Sequence, residues 1–205
     1  AQVGGTAGAG KRVIAANGAM ASPGWVDVHT HYDGQVTWDP VVSPSSWHGV
    51  TSIVMGNCGV GFAPVVPGRE QTLIEQMEGV EDIPGTALAE GIDFRWESFS
   101  EYLDALGERR FMLDVGTQVP HAAVRAYVMG DRSMDPEPTQ DDLDRIATIV
   151  REGVEAGALG VSTSRILAHR TSVGEEVPGT FAGEPELEAM ARVLGDLGTG
   201  VFEVV

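Results

Sequence analysis

The chain has 205 residues, 42% of them hydrophobic, with 30 acidic and 13 basic side chains and a formal net charge of −17. That content suits one globular domain with a core, and so negative a surface repels phosphate backbones and anionic bilayers, which excludes nucleic acid and membrane as partners. A single cysteine, Cys58, rules out a disulfide framework; with no bilayer-length apolar run and no basic-then-apolar leader, the expectation is a cytoplasmic protein.

The Gly-rich opening contains GTAGAGK, Gly5 to Lys11, which matches most of a phosphate-loop pattern. Position 12 is arginine, so the magnesium-binding hydroxyl is missing. The KRVIAA that follows reads as a short strand, not as a helix whose N-terminus holds phosphate. The opening is expected to be a hairpin of a small β-domain. Beyond it, strands are expected at Trp25 to His29, Thr51 to Met55, Met112 to Gln118, Leu159 to Thr163 and Val201 to Val205. Ser98 or Ser100 caps a helix in FSEYLDALGE. Thr139 opens another, with Asp142 placed as in a capping box and an apolar stripe of Leu143, Ile146, Ala147, Val150 and Val154. A further helix, EPELEAMARVLGDLG, stops at Gly198.

Strand–helix alternation of this kind predicts parallel β/α units. A closed eight-unit barrel takes roughly 250 residues, so five strands in 205 residues predict about the first five units of a (β/α)8 barrel. An open doubly wound sheet would carry a glycine fingerprint after its first strand, where this chain has histidines. The chain closes on TGVFEVV, an apolar run with no turn signal after it, and is expected to belong to a longer polypeptide.

Function in such folds collects at the carboxyl ends of the strands, and that rule sorts the five histidines. In WVDVHTHYDG, strand alternation puts Asp27, His29 and His31 on one side and Val26 and Val28 on the other. His29 and His31 end the first strand, His121 follows the third and His169 the fourth, all on one rim. His48 precedes the second strand and faces the opposite end, as a helix C-terminal residue beside Gly49. Cys58 ends the second strand in MGNCGVGF, where Gly56, Gly59 and Gly61 allow close backbone approach. A lone buried cysteine is commonly a small hydrophobe. Beside an H-x-H strand end it completes a zinc ligand set, so His29, His31 and Cys58 are the expected metal ligands. Asp27 either accepts the second N–H of an imidazole or bonds to backbone. Arg165 either holds a substrate carboxylate or pairs with Glu175 or Glu176. His121 joins Arg165 as an expected substrate contact.

PGWVDVHTHYDGQ followed by HGVTSIVMGNCGVGFAP resembles the amidohydrolase superfamily, in its N-acyl-D-amino-acid deacylase (D-aminoacylase) branch. The D-x-H-x-H strand marks the superfamily and G-N-C-G the branch. VPHAAVRAYVMG, EAGALGVSTSR and VPGTFA resemble later blocks, so the likeness runs over nearly the whole chain. The resemblance implies a metal-dependent barrel over residues 23–205 and the remnant of a flanking β-sandwich over 1–22. It also implies one or two zinc ions and an activated water that hydrolyses the N-acyl amide of a D-amino acid, a small-molecule substrate. Cys58 falls on the cysteine that replaces the superfamily's more usual carboxylated lysine. Further ligand histidines are implied on the fifth and sixth strands and the catalytic aspartate on the eighth. The general base then lies beyond Val205, no catalytic residue falls within the chain, and the chain alone is expected to be inactive.

Two departures bear on the substrate. STSR, ending in Arg165, stands where the branch carries an STGL-like loop, and GVFEVV shows no histidine and offers Glu203. The alternatives are a cyclic-amide or imide hydrolase of the same superfamily, which G-N-C-G opposes, and a non-catalytic metal-binding relative.

Overall fold

A computed structural model of the chain describes Gly5 and residues 8–205. Much of the GTAGAGK run, with residues 1–4, lies outside the described residues. KRVIAA, expected as a short strand, is exposed and without strand structure, since no described segment pairs with it.

The strands follow in chain order: β1 (Trp25–Asp27), β2 (Val50–Met55), β3 (Asp114–Thr117), β4 (Val119–Pro120), β5 (Gly160–Thr163) and β6 (Val201–Val204). β1, β2 and β3 form one parallel sheet and β4, β5 and β6 another. The expected first strand stops at Asp27, two residues short of His29. The expected third strand, Met112 to Gln118, forms only as β3, which pairs with β2, Thr117 opposite Met55; the chain breaks at Gln118 and resumes beyond the expected bounds as β4, which pairs with β5, Val119 opposite Val161. Two bonds knit the break: Gln118 N–H to Met55 O at 2.9 Å and Leu159 N–H to Thr117 O at 2.8 Å. Strand order is sequential throughout, which is the α/β class expected; among the described residues the sheets do not close into a barrel.

Helices fill the crossovers: α1 (Glu70–Glu81), α2 (Gly85–Gly91) and α3 (Phe99–Gly107) between β2 and β3, α4 (His121–Met129) and α5 (Gln140–Ala156) between β4 and β5, and α6 (Glu184–Leu197) before β6. Their ends follow the local chemistry. Ser98, not Ser100, caps α3 in a capping box with Glu101, and Thr139 does the same for α5 with Asp142. Gly198 takes the left-handed conformation that stops α6. Along α5, Ile146, Val150 and Val154 are buried while Leu143 and Ala147 are half-buried at the margin of the stripe. Ile146, Val150 and Val154 share one core with Ile53, Met55, Val119 and Val161 from the strands and Met190 from α6. Full burial of each stabilises by about 1.5–3 kcal/mol. No described helix is long and apolar enough to cross a membrane.

The outermost strands differ from this interior. Val26 and Val28 are 60% and 66% exposed beside β1, and Val201 and Val204 are 60% and 55% exposed on β6.

Candidate metal centre

The site is built on the G-N-C-G turn that ends β2. Gly56, Cys58 and Gly59 all have positive φ, at 74°, 54° and 73°. A Cβ at Gly56 would stand 2.3 Å from Gln118 O, so glycine is required there. Cys58 holds the left-handed conformation despite its side chain, at a cost of about 1–2 kcal/mol. The turn is pinned from three sides. The Asn57 amide donates to Thr30 O at 2.9 Å and Val54 O at 3.0 Å. Ser162 of β5 accepts from Gly59 N–H at 2.9 Å and donates to Gly56 O, and Ala122 of α4 donates to Gly59 O at 2.8 Å. Strained backbone held by so many bonds aims one side chain, that of Cys58.

Cys58 Sγ lies 3.4 Å from His29 Nε2, and one donor atom each from His29, His31 and Cys58 falls within 4.8 Å of the others. The two imidazoles meet edge to face, ring centroids 5.3 Å apart. Tetrahedral zinc with its usual bond lengths puts a sulfur and a nitrogen ligand about 3.5 Å apart. The residues therefore fit a metal ion in spacing. They fit it in charge as well. Burial, then the charges of His29 and His169, pull His31 down to about 4, so its ring is neutral and keeps a lone pair at neutral pH. His31 Nδ1 is buried without a partner. Burial lifts the Cys58 thiol to about 12, with Glu81, Glu203 and Asp33 adding to it. A divalent cation reverses that balance, because a coordinating thiol loses its proton.

Carboxylates surround the cluster. Glu81, the last residue of α1, places Oε1 3.1 Å from His31 Nε2, and burial followed by Asp82 raises it to about 7. Glu203 on β6 places Oε1 3.2 Å from His29 Nδ1. Buried Asp33 is lifted to about 8, first by burial, against hydrogen bonds that lower it. His169 sits at the same rim, its Nδ1 2.9 Å from Ser164 Oγ.

The structure thus brings together the three expected ligands and places the other expected residues elsewhere. Asp27 accepts the backbone N–H of His29 at 3.4 Å, the backbone-bonded alternative. His121 opens α4 and is turned inward, with Nδ1 2.9 Å from Thr163 Oγ1 and Nε2 2.8 Å from Glu186 Oε1, which leaves neither nitrogen for a substrate. Arg165 is exposed, donates to Ala182 O at 2.5 Å and borders a groove with Phe181 and Phe202; Arg170, not Arg165, pairs with Glu176. His48 ends a 3-10 turn (Ser45–His48) away from the cluster, with Gly49 left-handed after it. Sequence reasoning missed Glu81, Asn57 and Gln118. Asn57 is visible in G-N-C-G, but the bonds that join these three residues to segment 29–31 and to one another span 27 positions or more.

A parallel α/β fold with an H-x-H strand end facing a cysteine turn defines the class. The chain belongs to the amidohydrolase family, whose profile matches residues 12–205, and within it to the D-aminoacylase branch. An N-acyl-D-aspartate deacylase of Alcaligenes xylosoxydans xylosoxydans is 35% identical over 156 residues, 75% of this chain and 28% of that protein. A D-aminoacylase structure, described for its binuclear metal centre, superposes with a TM-score of 0.65 at 29% identity, covering 88% of this chain and 33% of the other. An N-acyl-D-glutamate deacylase from Bordetella bronchiseptica, complexed with zinc and a phosphonate inhibitor, superposes with a TM-score of 0.58 at 28% identity, covering 89% and 33%. The chain spans about a third of the length of the proteins it matches.

Proposed function

We propose that this chain is the metal-binding portion of a zinc-dependent hydrolase that cleaves the N-acyl amide bond of N-acyl-D-amino acids. The observation that carries the reading is the convergence of His29, His31 and Cys58 donor atoms within 4.8 Å. Zinc at that point supplies Lewis acidity toward an amide carbonyl and toward water near neutral pH. His29 and His31, in the segment just after β1, would hold the cation together with Cys58 of the turn after β2. Glu81 and Glu203 set carboxyl oxygens beside His31 and His29. The general base belongs to the part of the protein that the matched relatives carry beyond this third.

Sequential parallel strands with exposed apolar side chains on both outermost strands support a sheet that continues on each side, into a (β/α)8 barrel over residues 23–205 and onward. Residues 1–22 belong in this reading to a small flanking β-domain. The acidic composition and the single cysteine support a cytoplasmic setting. Arg165 keeps exposed N–H groups for a substrate carboxylate, in line with the acidic substrates named for two of the relatives.

The test is release of free amine from N-acetyl-D-amino acids by the full-length protein loaded with zinc. Turnover of the D- over the L-series, above a zinc-only blank, is expected. Zinc binding without turnover on any acylated amino acid would instead favour the non-catalytic metal-binding relative.

A further inference from the structure

β6 carries a glutamate, Glu203, at the position nearest His29, and the two oxygens of its carboxylate have different partners. Oε1 lies 3.2 Å from His29 Nδ1, and Oε2 accepts from Gln118 Nε2 at 2.6 Å. The same Gln118 nitrogen lies 2.9 Å from Asn57 Oδ1, and Asn57 Nδ2 reaches the carbonyls of Thr30 and Val54. Every direction in this series of bonds is set by its far end. Carbonyls only accept, so Asn57 turns its nitrogen to Thr30 and Val54 and its oxygen to Gln118. Gln118 must then donate to Asn57 and to Glu203 alike; the reverse orientation would set its oxygen against two oxygens. With Glu203 as a carboxylate both oxygens accept, Oε2 from Gln118 and Oε1 from His29, so the hydrogen between Glu203 and His29 sits on Nδ1. Nε2, on the far side of the ring, keeps its lone pair on the Cys58 side, 3.4 Å from Sγ.

We propose that Glu203 is a positioning residue for the metal centre: backed by Gln118 and Asn57, it holds His29 in the Nδ1–H tautomer with Nε2 open toward Cys58. This is the task for which Asp27 stood nearest in sequence and which its own bond to backbone leaves undone. Because His29 is 42% exposed, solvent alone would not hold its ring in one orientation. The hydrogen bond at one imidazole nitrogen decides which nitrogen ligates, and such partners are worth about 10- to 100-fold in metal affinity. The arrangement also gives β6 a direct part in the centre although it contributes no histidine there.

The inference rests on the metal-centre reading above, and its first test is independent of metal. Nitrogen-15 NMR of the histidine rings in the metal-free full-length protein, above the pH of imidazole titration, reads the tautomer of His29 directly. Nδ1–H in the wild type and a mixed tautomer in Glu203→Leu are expected; Nε2–H in the wild type overturns the proposal. The second test is zinc affinity by competition with a chromophoric chelator. Glu203→Leu should bind zinc about 10- to 100-fold more weakly, with Glu203→Gln between the two because one acceptor remains. Equal affinity in Glu203→Leu, or a Glu203 oxygen bonded to zinc in the X-ray absorption spectrum, also overturns it. A wild type that binds no zinc sinks the metal-centre reading, while the tautomer still decides on Glu203. A Leu variant that does not fold leaves the wild-type spectrum to decide.

Discussion

Cys58 meets two opposing demands. Its backbone is held at a φ of 54°, and its thiol faces two imidazoles in an acidic, buried setting that disfavours a thiolate unless a cation is present. Packing alone explains neither. Elemental analysis of full-length wild type and Cys58→Ala is expected to show bound zinc in the first and most of it lost in the second; undiminished zinc in the variant would return the cysteine to the core. Arg165 is the residue for substrate choice. Its bond to Ala182 O ties two points of the 164–183 segment together and leaves other guanidinium N–H groups exposed. Arg165→Leu is expected to lower kcat/KM for N-acetyl-D-glutamate about 10-fold or more while sparing N-acetyl-D-leucine, the loss of a charge-assisted contact worth roughly 1.5–3 kcal/mol. An equal loss on both substrates would assign the arginine to the loop alone.

Among the elements, the turn after β2 does more than connect. It carries Cys58, receives the amide wiring of Asn57 and Gln118, and is bonded to β5 through Ser162. Gly56 is its hinge point. Alanine there needs a left-handed backbone and a Cβ 2.3 Å from Gln118 O, so the turn must shift. Gly56→Ala is expected to destabilise by more than about 1 kcal/mol and to weaken zinc binding along with stability. Gly68→Ala serves as the control. Its φ is 86°, but nothing lies within 4 Å of the added carbon, so only the backbone penalty applies. Denaturant titration of both variants, with zinc removed, separates strain in the turn from loss of metal; similar losses would mean that the contact with Gln118 is easily relieved.

Across the whole molecule, the helices are tied to the strands by a buried ionic group. Glu186 of α6 is fully buried, accepts from Arg125 of α4, and lies 2.8 Å from the His121 ring, which reaches Thr163 of β5. Burial would raise the Glu186 carboxyl, but the hydrogen bond and charge of His121, with those of Arg125, outweigh it and lower it below the usual value. A group depressed on folding contributes stability above its unfolded pKa, about 4.3 for Glu, and that contribution is lost as pH falls through the lower folded value. Glu186→Gln leaves Arg125 buried without a counter-charge and is expected to cost about 3–5 kcal/mol at neutral pH. The gap to wild type should narrow as pH drops below about 4.3, where the unfolded wild-type chain binds a proton that the folded Glu186 takes up only at lower pH. Urea unfolding at pH 7 and pH 3.5 measures it; a gap that does not change with pH would mean that the network works by shape and not by charge.

Much of the site is written in short stretches of the chain. Capping boxes mark the starts of α3 and α5, and the H-x-H and G-N-C-G stretches name the three residues whose donor atoms converge, although the strand expected to run to His29 stops at Asp27. These are properties of short segments, where residue type and spacing are visible together. The remaining contacts arise from folding over long distances along the chain. Glu81, Gln118 and Glu203 reach the histidines and Asn57 from 50, 61 and 174 positions away along the chain, and no local pattern encodes so distant a partner. His121 shows the same limit from the other side: its position after a strand pointed to the rim, yet α4 begins at that residue and rotates its ring onto Glu186. A strand's end places a side chain near the site. The element that starts next, and what packs against it, decides whether the side chain faces the site or the core.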